Sequence, residues 1–288
     1  MAEVTAQMVA ELREKTGLGI LQCKKALSET GGDMEKSIEF LRKQGAAVAA
    51  KRVGKETKEG KVILASGSDA VCAVEINCET DFVSASDDFN GFTAKVSKVI
   101  LDKKPADPEA LKGLALEGTT VGEVNTAVIA KIGEMISIRR FTIEKVGANE
   151  LAETYSHGGG KIGVIVKLGY TGEVKDKPAL SSLAKDLAMQ VAATGPIAIE
   201  AKDVPASVIE KEREIGRELT LKEGKTGDIV DKIVEGKIQK FYKENCLVNQ
   251  VYVKDSKQTI DKLLVASAKS QGLESIKVLG FHRLQLGQ

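Results

Sequence analysis

The 288-residue chain reads as an α+β protein: a three-helix bundle, a duplicated core of antiparallel sheets with helices, and an antiparallel helical hairpin inserted in the core's second half. Three observations predict this. Between residues 4 and 45 apolar side chains recur at helical spacing in three short blocks. Period-two alternation then marks separate strands near 61–65, 70–78, 136–144, 161–168 and 276–284, interleaved with helical patterns. Around 203–243 charges of both signs surround narrow apolar seams, with no strand signal. The expected units are 1–55 for the bundle, 56–150 for the first core half, 151–200 with 245–288 for the second, and 201–244 for the hairpin.

In the bundle, Met8, Val9 and Leu12 share a face that ends near Gly17, a second helix runs from about Ile20 to Leu27, and a third opens at the cap Asp33 with Met34, Ile38 and Leu41. Leu18, Ile20 and Leu21 surround the first turn and read either as bundle core or as a docking knob. Ala46 to Gly60 is Ala-rich, then charged, as in a helical tail leading to a linker. A hairpin follows, turning at Ser66-Gly67-Ser68-Asp69. In its second strand Cys72, Val74, Ile76 and Cys78 point one way and Val71, Ala73, Glu75 and Asn77 the other, as expected of a half-buried strand. Phe89, Phe92, Val96 and Val99 predict one helix and Val121, Val124, Val128, Ile132 and Met135 another, with a loose connection through Pro105, Pro108, Gly113 and Gly118. The second half repeats the theme with a strand from Lys161, a helix over about 178–193, and, past the interruption, a helix near 259–268 and a strand near 276–284. In the interruption Asp203 reads as a cap; Val208, Ile215 and Leu219 line one helix, Gly224 to Gly227 turn, and Ile229, Ile233 and Phe241 line the other.

Composition narrows the function. Lys plus Arg total 42 against 41 for Asp plus Glu, so no basic excess is available to grip nucleic acid directly. Aromatic residues are 4% with no Trp, a poor endowment for stacking bases. The four cysteines form no CxxC pair and the two histidines, His157 and His282, are far apart; free buried thiols are expected, without metal or cofactor. Glu3, Glu11 and Arg13 interrupt any signal-peptide run, and no stretch suits a membrane, so a cytoplasmic protein is expected. Gly158-Gly159-Gly160-Lys161 fails the phosphate-loop test: Tyr155 stands at the first Gly position, Ile162 at the Ser/Thr position, and the run precedes a strand. His157 reads as a loop histidine, either a contact or merely solvated. No constellation for bond-making chemistry emerges, so a non-enzyme is expected.

The most informative stretch is Glu75 to Ala85. Where the strand ends come the capping Thr80, the carboxylate of Asp81 and the large ring of Phe82, then Val83 and small residues. A large ring in a connection is a plug for its own core or a wedge for another protein's. EINCETDFVSA resembles the most distinctive signature of the elongation factor Ts family, and Leu12 to Leu27 resembles that family's N-terminal signature. The likeness continues through Ile132 to Arg140 and Tyr155 to Gly158 and spans nearly the whole chain.

The resemblance implies a nucleotide exchange factor that binds the GTPase elongation factor Tu carrying GDP, loosens magnesium and phosphate, and admits GTP. It implies that the N-terminal bundle is of the ubiquitin-associated (UBA-like) type. It implies that Thr80, Asp81, Phe82 and Val83 enter the GTPase beside its magnesium site, that Arg13, Ile20, Leu21 and Lys24 grip the nucleotide-binding domain, and that His157 and Gly158 meet the remaining domains. The hairpin is expected to protrude and to allow weak self-association. Gln22 stands where the family usually has an acid, and Ala85 where it usually has a basic residue or Asn. The chain ends at Gln288, where some members add a helix; that helix's contact is expected to be missing. Two other readings stay open: a small-molecule enzyme using the His157 glycine loop, and a ubiquitin-like adaptor acting through the bundle.

Overall fold

A computed structural model describes residues 4–288. Helices α1 (Ala6–Thr16), α2 (Ile20–Glu29) and α3 (Met34–Arg52) form the bundle around Leu12, Cys23, Ala26, Leu27 and Leu41. Thr5 caps α1 and Asp33 caps α3 through side-chain oxygens that accept otherwise orphaned amides. Gly17 ends α1 in the left-handed conformation that a Cβ would disfavour. The Ala-rich tail expected to lead into a linker is the second half of α3, which continues unbroken to Arg52.

The first core half follows: β1 (Glu59–Ser66), β2 (Ala70–Cys78), α4 (Asp81–Ala85), α5 (Asp87–Lys103), α6 (Pro108–Lys112), the small hairpin β3 (Ala115–Leu116) and β4 (Thr119–Thr120), α7 (Val121–Ile132) and β5 (Ser137–Lys145). The connection expected to be loose therefore holds a Pro-initiated turn of helix and a hairpin, anchored by the buried Leu111. The sheet order is β1-β2-β5, antiparallel throughout.

The second half repeats that order. It comprises β6 (Glu150–His157), β7 (Ile162–Thr171), α8 (Lys177–Thr194), the inserted α9 (Ala206–Lys222) and α10 (Asp228–Asn245), β8 (Val251–Tyr252), β9 (Asp255–Thr259), α11 (Ile260–Gln271) and β10 (Ser275–Gln285). Its sheet runs β10-β7-β6, so in both halves the second strand of a hairpin is central and a strand arriving after helices completes the sheet.

The two sheets face each other. Helices α5 and α7 cover the outer face of the first sheet through Cys72, Val74, Ile76, Phe89, Phe92 and Val96, and α8 and α11 cover the second. Between the sheets Val62, Val71 and Ala73 meet Ile165 and Leu284. This second cover overturns the half-buried reading of residues 71–78: every residue of β2 is buried, the polar Glu75 and Asn77 included. The expected phase of the inserted hairpin also shifts by one residue. Its seam is Gly216, Thr220, Val230, Val234 and Ile238, while Ile215, Leu219 and Ile229 are exposed. Small Gly216 and Thr220 let the helices approach, so packing follows close contact and not apolarity alone. Asp203, expected to cap α9, is instead the last residue of a short 3-10 turn whose N-cap is Glu200, and its carboxylate accepts the Glu200 amide at 3.0 Å; the N-cap of α9 is Pro205.

Candidate functional site

Phe82 is 85% exposed, which excludes the plug reading of its ring. It stands on α4, a five-residue helix too short to persist by itself, so its position depends on what holds the turn. The Thr80 hydroxyl accepts from the Val83 amide at 3.4 Å, the Ser84 hydroxyl donates to the Asp81 carbonyl at 2.8 Å, and that of Ser86 to the Val83 carbonyl at 2.7 Å. Val83 packs against the first-half core while Asp81 and Phe82 point to solvent. Cys78, just upstream, donates its thiol proton to the Thr80 carbonyl at 3.1 Å. Burial, with the negative charges of Glu134 and Glu59, pushes that thiol up to about 12, so the donor proton is kept at neutral pH.

A chain of neighbours connects this turn to the other expected contacts. Lys61 of β1 donates to Asn90 at 2.8 Å, and Asn90 in turn donates to the carbonyls of Ala85 and Ser86 at the foot of the Phe82 turn. Val62 donates its amide to the Gly160 carbonyl at 2.7 Å, tying in the loop that carries His157 and Gly158. In the other direction Lys131 at the end of α7 pairs with Asp88 at 2.7 Å and lies beside the Gly17 turn of the bundle.

Around that turn Leu18 belongs to the bundle core, whereas Ile20 and Leu21 are 57% and 82% exposed at the start of α2. Arg13 and Lys24 are exposed on the flanking helices. Gln22, at the unusual position, accepts the Gly19 amide at 3.1 Å through its side-chain oxygen, the same reach-back an acid could make. His157 corrects the loop reading: it is the last residue of β6, paired with Ile162, and its ring stacks on Tyr155 at 6.1 Å between centroids. Gly158, Gly159 and Gly160 then turn the chain with φ of 61°, 69° and 95°, values that suit glycine.

Three further residues support the turn in a way that no sequence reading assigned. Glu134, Glu79 and Arg52 meet beneath Thr80 from segments distant in the chain, and no spacing rule connects them. All four cysteines are free and buried. Among the described residues no three His, Cys, Asp or Glu side chains group as metal ligands, and no helix is long and apolar enough to cross a membrane.

Comparison with known proteins places this geometry in a family. The model of the family described as elongation factor TS matches residues 79–288. Elongation factor Ts of Desulfovibrio desulfuricans is 45% identical over 290 residues, covering 99% of both chains. That of Clostridium novyi is 47% identical, covering 99% of this chain and 93% of its own. That of Burkholderia thailandensis is 48% identical over 267 residues, covering 93% and 87%. An identity of this size, sustained from the bundle through both sheets, means that the chain belongs to the elongation factor Ts family of translation elongation factors.

Proposed function

We propose that the protein is a guanine nucleotide exchange factor that acts on elongation factor Tu in the cytoplasm and catalyses no bond chemistry of its own. The observation that carries this reading is the solvent-exposed Phe82 ring, held on a hydrogen-bonded turn beside the Asp81 carboxylate. Burying a Phe side chain that is otherwise exposed releases about 1.5–3 kcal/mol. The coupling needed between two binding sites is about 1–3 kcal/mol, so one inserted ring is large enough to supply it.

In this reading Asp81 and Phe82 enter the GTPase beside its magnesium site and shift the groups that hold the ion and the phosphates. Ile20 and Leu21, flanked by Arg13 and Lys24, dock the nucleotide-binding domain, and the His157–Gly158 hairpin end meets the remaining domains. Linkage makes the effect reciprocal: a factor that weakens GDP binding is itself bound more weakly when GDP is present.

The glycine run at 158–160 joins two strands, so no helix N-terminus faces a phosphate there, and the small-molecule reading gains no support. Stopped-flow release of fluorescent GDP from elongation factor Tu tests the proposal. The protein should accelerate release, and Phe82→Ala should slow that stimulated release while leaving part of the binding and an unchanged melting temperature. A Phe82→Ala variant that stimulates release at the full rate overturns the wedge. In calorimetry the isolated protein should bind neither GDP nor GTP; micromolar binding of either contradicts the reading.

A further inference from the structure

The Phe82 turn is held from below by two glutamates that each grip the other's segment. Glu134, just after α7, accepts the Thr80 amide at 3.0 Å through one oxygen and the Thr80 hydroxyl at 2.8 Å through the other. Glu79, just before Thr80, accepts the Met135 amide at 2.7 Å. Its other oxygen meets Arg52, the last residue of α3, at 3.3 Å. Arg52 supplies the positive charge that lets two carboxylates occupy one small region.

The chemistry of Thr80 follows from this. Its hydroxyl has one proton, which goes to Glu134; a lone pair is therefore aimed at the Val83 amide, and the helix N-cap is set in one orientation. Val83 is the turn's apolar anchor and is only partly buried. Polar bonds, two of them to one carboxylate, thus do most of the holding, and bonds to charged acceptors are the stronger kind.

We propose that Glu134 is a positioning residue for exchange: it holds the Asp81–Phe82 turn in the geometry that enters the partner, and Glu79 with Arg52 ties that geometry to the end of the bundle's last helix. Glu134 acts through Thr80. The inference rests on the exchange-factor reading, but the brace itself is measurable in the free protein.

The test uses the full-length chain with Glu134→Ala, Glu134→Gln, Phe82→Ala and the double variant of Glu134→Ala with Phe82→Ala. In the free protein, amide hydrogen exchange at Val83 and Ser84 should quicken by about tenfold or more in Glu134→Ala, since a charge-assisted bond is lost at each end of Thr80. Against the GTPase, the maximal stimulated rate of GDP release should fall about tenfold, as misplacing a positioned group does, with half-saturating concentration little changed because the bundle still docks. Glu134→Gln keeps an acceptor oxygen and should recover part of both losses. In the Phe82→Ala background Glu134→Ala should cost much less than in wild type, only Asp81 being left to position.

Unaltered exchange at Val83 and Ser84 overturns the brace whatever happens with the GTPase. Faster exchange with an undiminished release rate overturns the positioning role, as does the same loss of rate in the Phe82→Ala background. A Phe82→Ala variant with full activity removes the wedge reading instead, and it is told apart from failure of the brace by the free-protein measurement. If Glu134→Ala melts well below wild type, Glu134→Gln carries the comparison, and a Gln variant that matches wild type in melting, amide exchange and release rate also refutes a need for the carboxylate.

Discussion

Glu75 shows how much one side chain can organise. It is fully buried on the central strand β2, yet its carboxylate accepts from Arg140 at 2.7 Å, Arg139 at 3.3 Å, Asn77 at 3.4 Å and the Gly287 amide at 2.8 Å. A buried carboxylate is tolerable only with partners of this kind. Both arginines are partly exposed and Gly287 is exposed, so these can turn to water, and removing Glu75 strands chiefly the buried Asn77 amide. Glu75→Ala should therefore cost about 2–4 kcal/mol, toward the lower end of what breaking a buried pair costs. Urea unfolding should show the lowered midpoint with an unchanged slope.

A second polar cluster, which like the first bridges β5 and β10, predicts a pH effect. Glu144 meets Lys167 at 2.6 Å and His282 at 2.8 Å, and Lys167 also reaches Glu150 at 3.6 Å. Burial pushes the Glu144 carboxyl up, but the contacts with Lys167 and His282 outweigh it and leave the group below its ordinary value. A carboxyl depressed in the folded state adds stability above its unfolded pKa, about 4.3, and loses it as pH falls through the folded value. Glu144→Gln should thus be less stable than wild type at neutral pH, and the two melting temperatures should converge below about pH 4. A gap that stays constant down to pH 3 contradicts the assignment.

At the scale of elements, much was legible because local rules act over short distances. Asp33 and Thr80, read as caps, each cap a helix start, and the three bundle helices follow the apolar spacing. Strand β6 was missed: Leu151 and Tyr155 turn toward the core while Ala152 faces the other sheet, so neither face has a clean apolar row. The burial of Glu75 and Asn77 was not legible either, since their cover comes from a sheet formed far along the chain. Among the candidate residues, an exposed ring at Phe82 could be weighed from the sequence, but the brace of Glu134, Glu79 and Arg52 exists only after folding.

The crossing of α3 over α7 offers an element-scale prediction. A Cβ at Gly45 would lie 3.1 Å from that of Ala130, beside a cleft of about 590 Å³ lined by Leu18, Ile38, Phe92 and Val124. Replacing a mid-helix Gly by Ala gains about 1 kcal/mol in helix propensity, which here is offset by crowding. Gly45→Ala should be close to neutral, whereas Gly45→Val should force the bundle off α7. Small-angle scattering should then show an expanded molecule, and limited proteolysis should cut near the end of α3. A Gly45→Val protein as compact and resistant as wild type would show that the crossing is not a tight contact.

For the whole molecule the decisive contact is sheet on sheet, because it sets the Phe82 turn, fed by β2, beside the His157 turn between β6 and β7. The two sheets approach tightly where Gly163 faces Val62: a Cβ added to Gly163 would lie 2.4 Å from the Val62 Cγ1. Gly163 has no left-handed backbone to maintain, so the demand is for space alone. Gly163→Ala should cost about 1–3 kcal/mol through overpacking, and Val62→Ala about 1–3 kcal/mol through the cavity it leaves. Together they add one methyl group and remove two across the same gap, so the added Cβ finds room and the double variant should be more stable than the sum of the single losses implies. Calorimetric melting of all four proteins measures that coupling. The single Gly163→Ala variant, with its sheets forced apart, should also lose stimulated GDP release, and Val62→Ala should restore part of it. Additive losses in both stability and release would mean that the sheets adjust independently, and that the alignment of the two turns is set elsewhere.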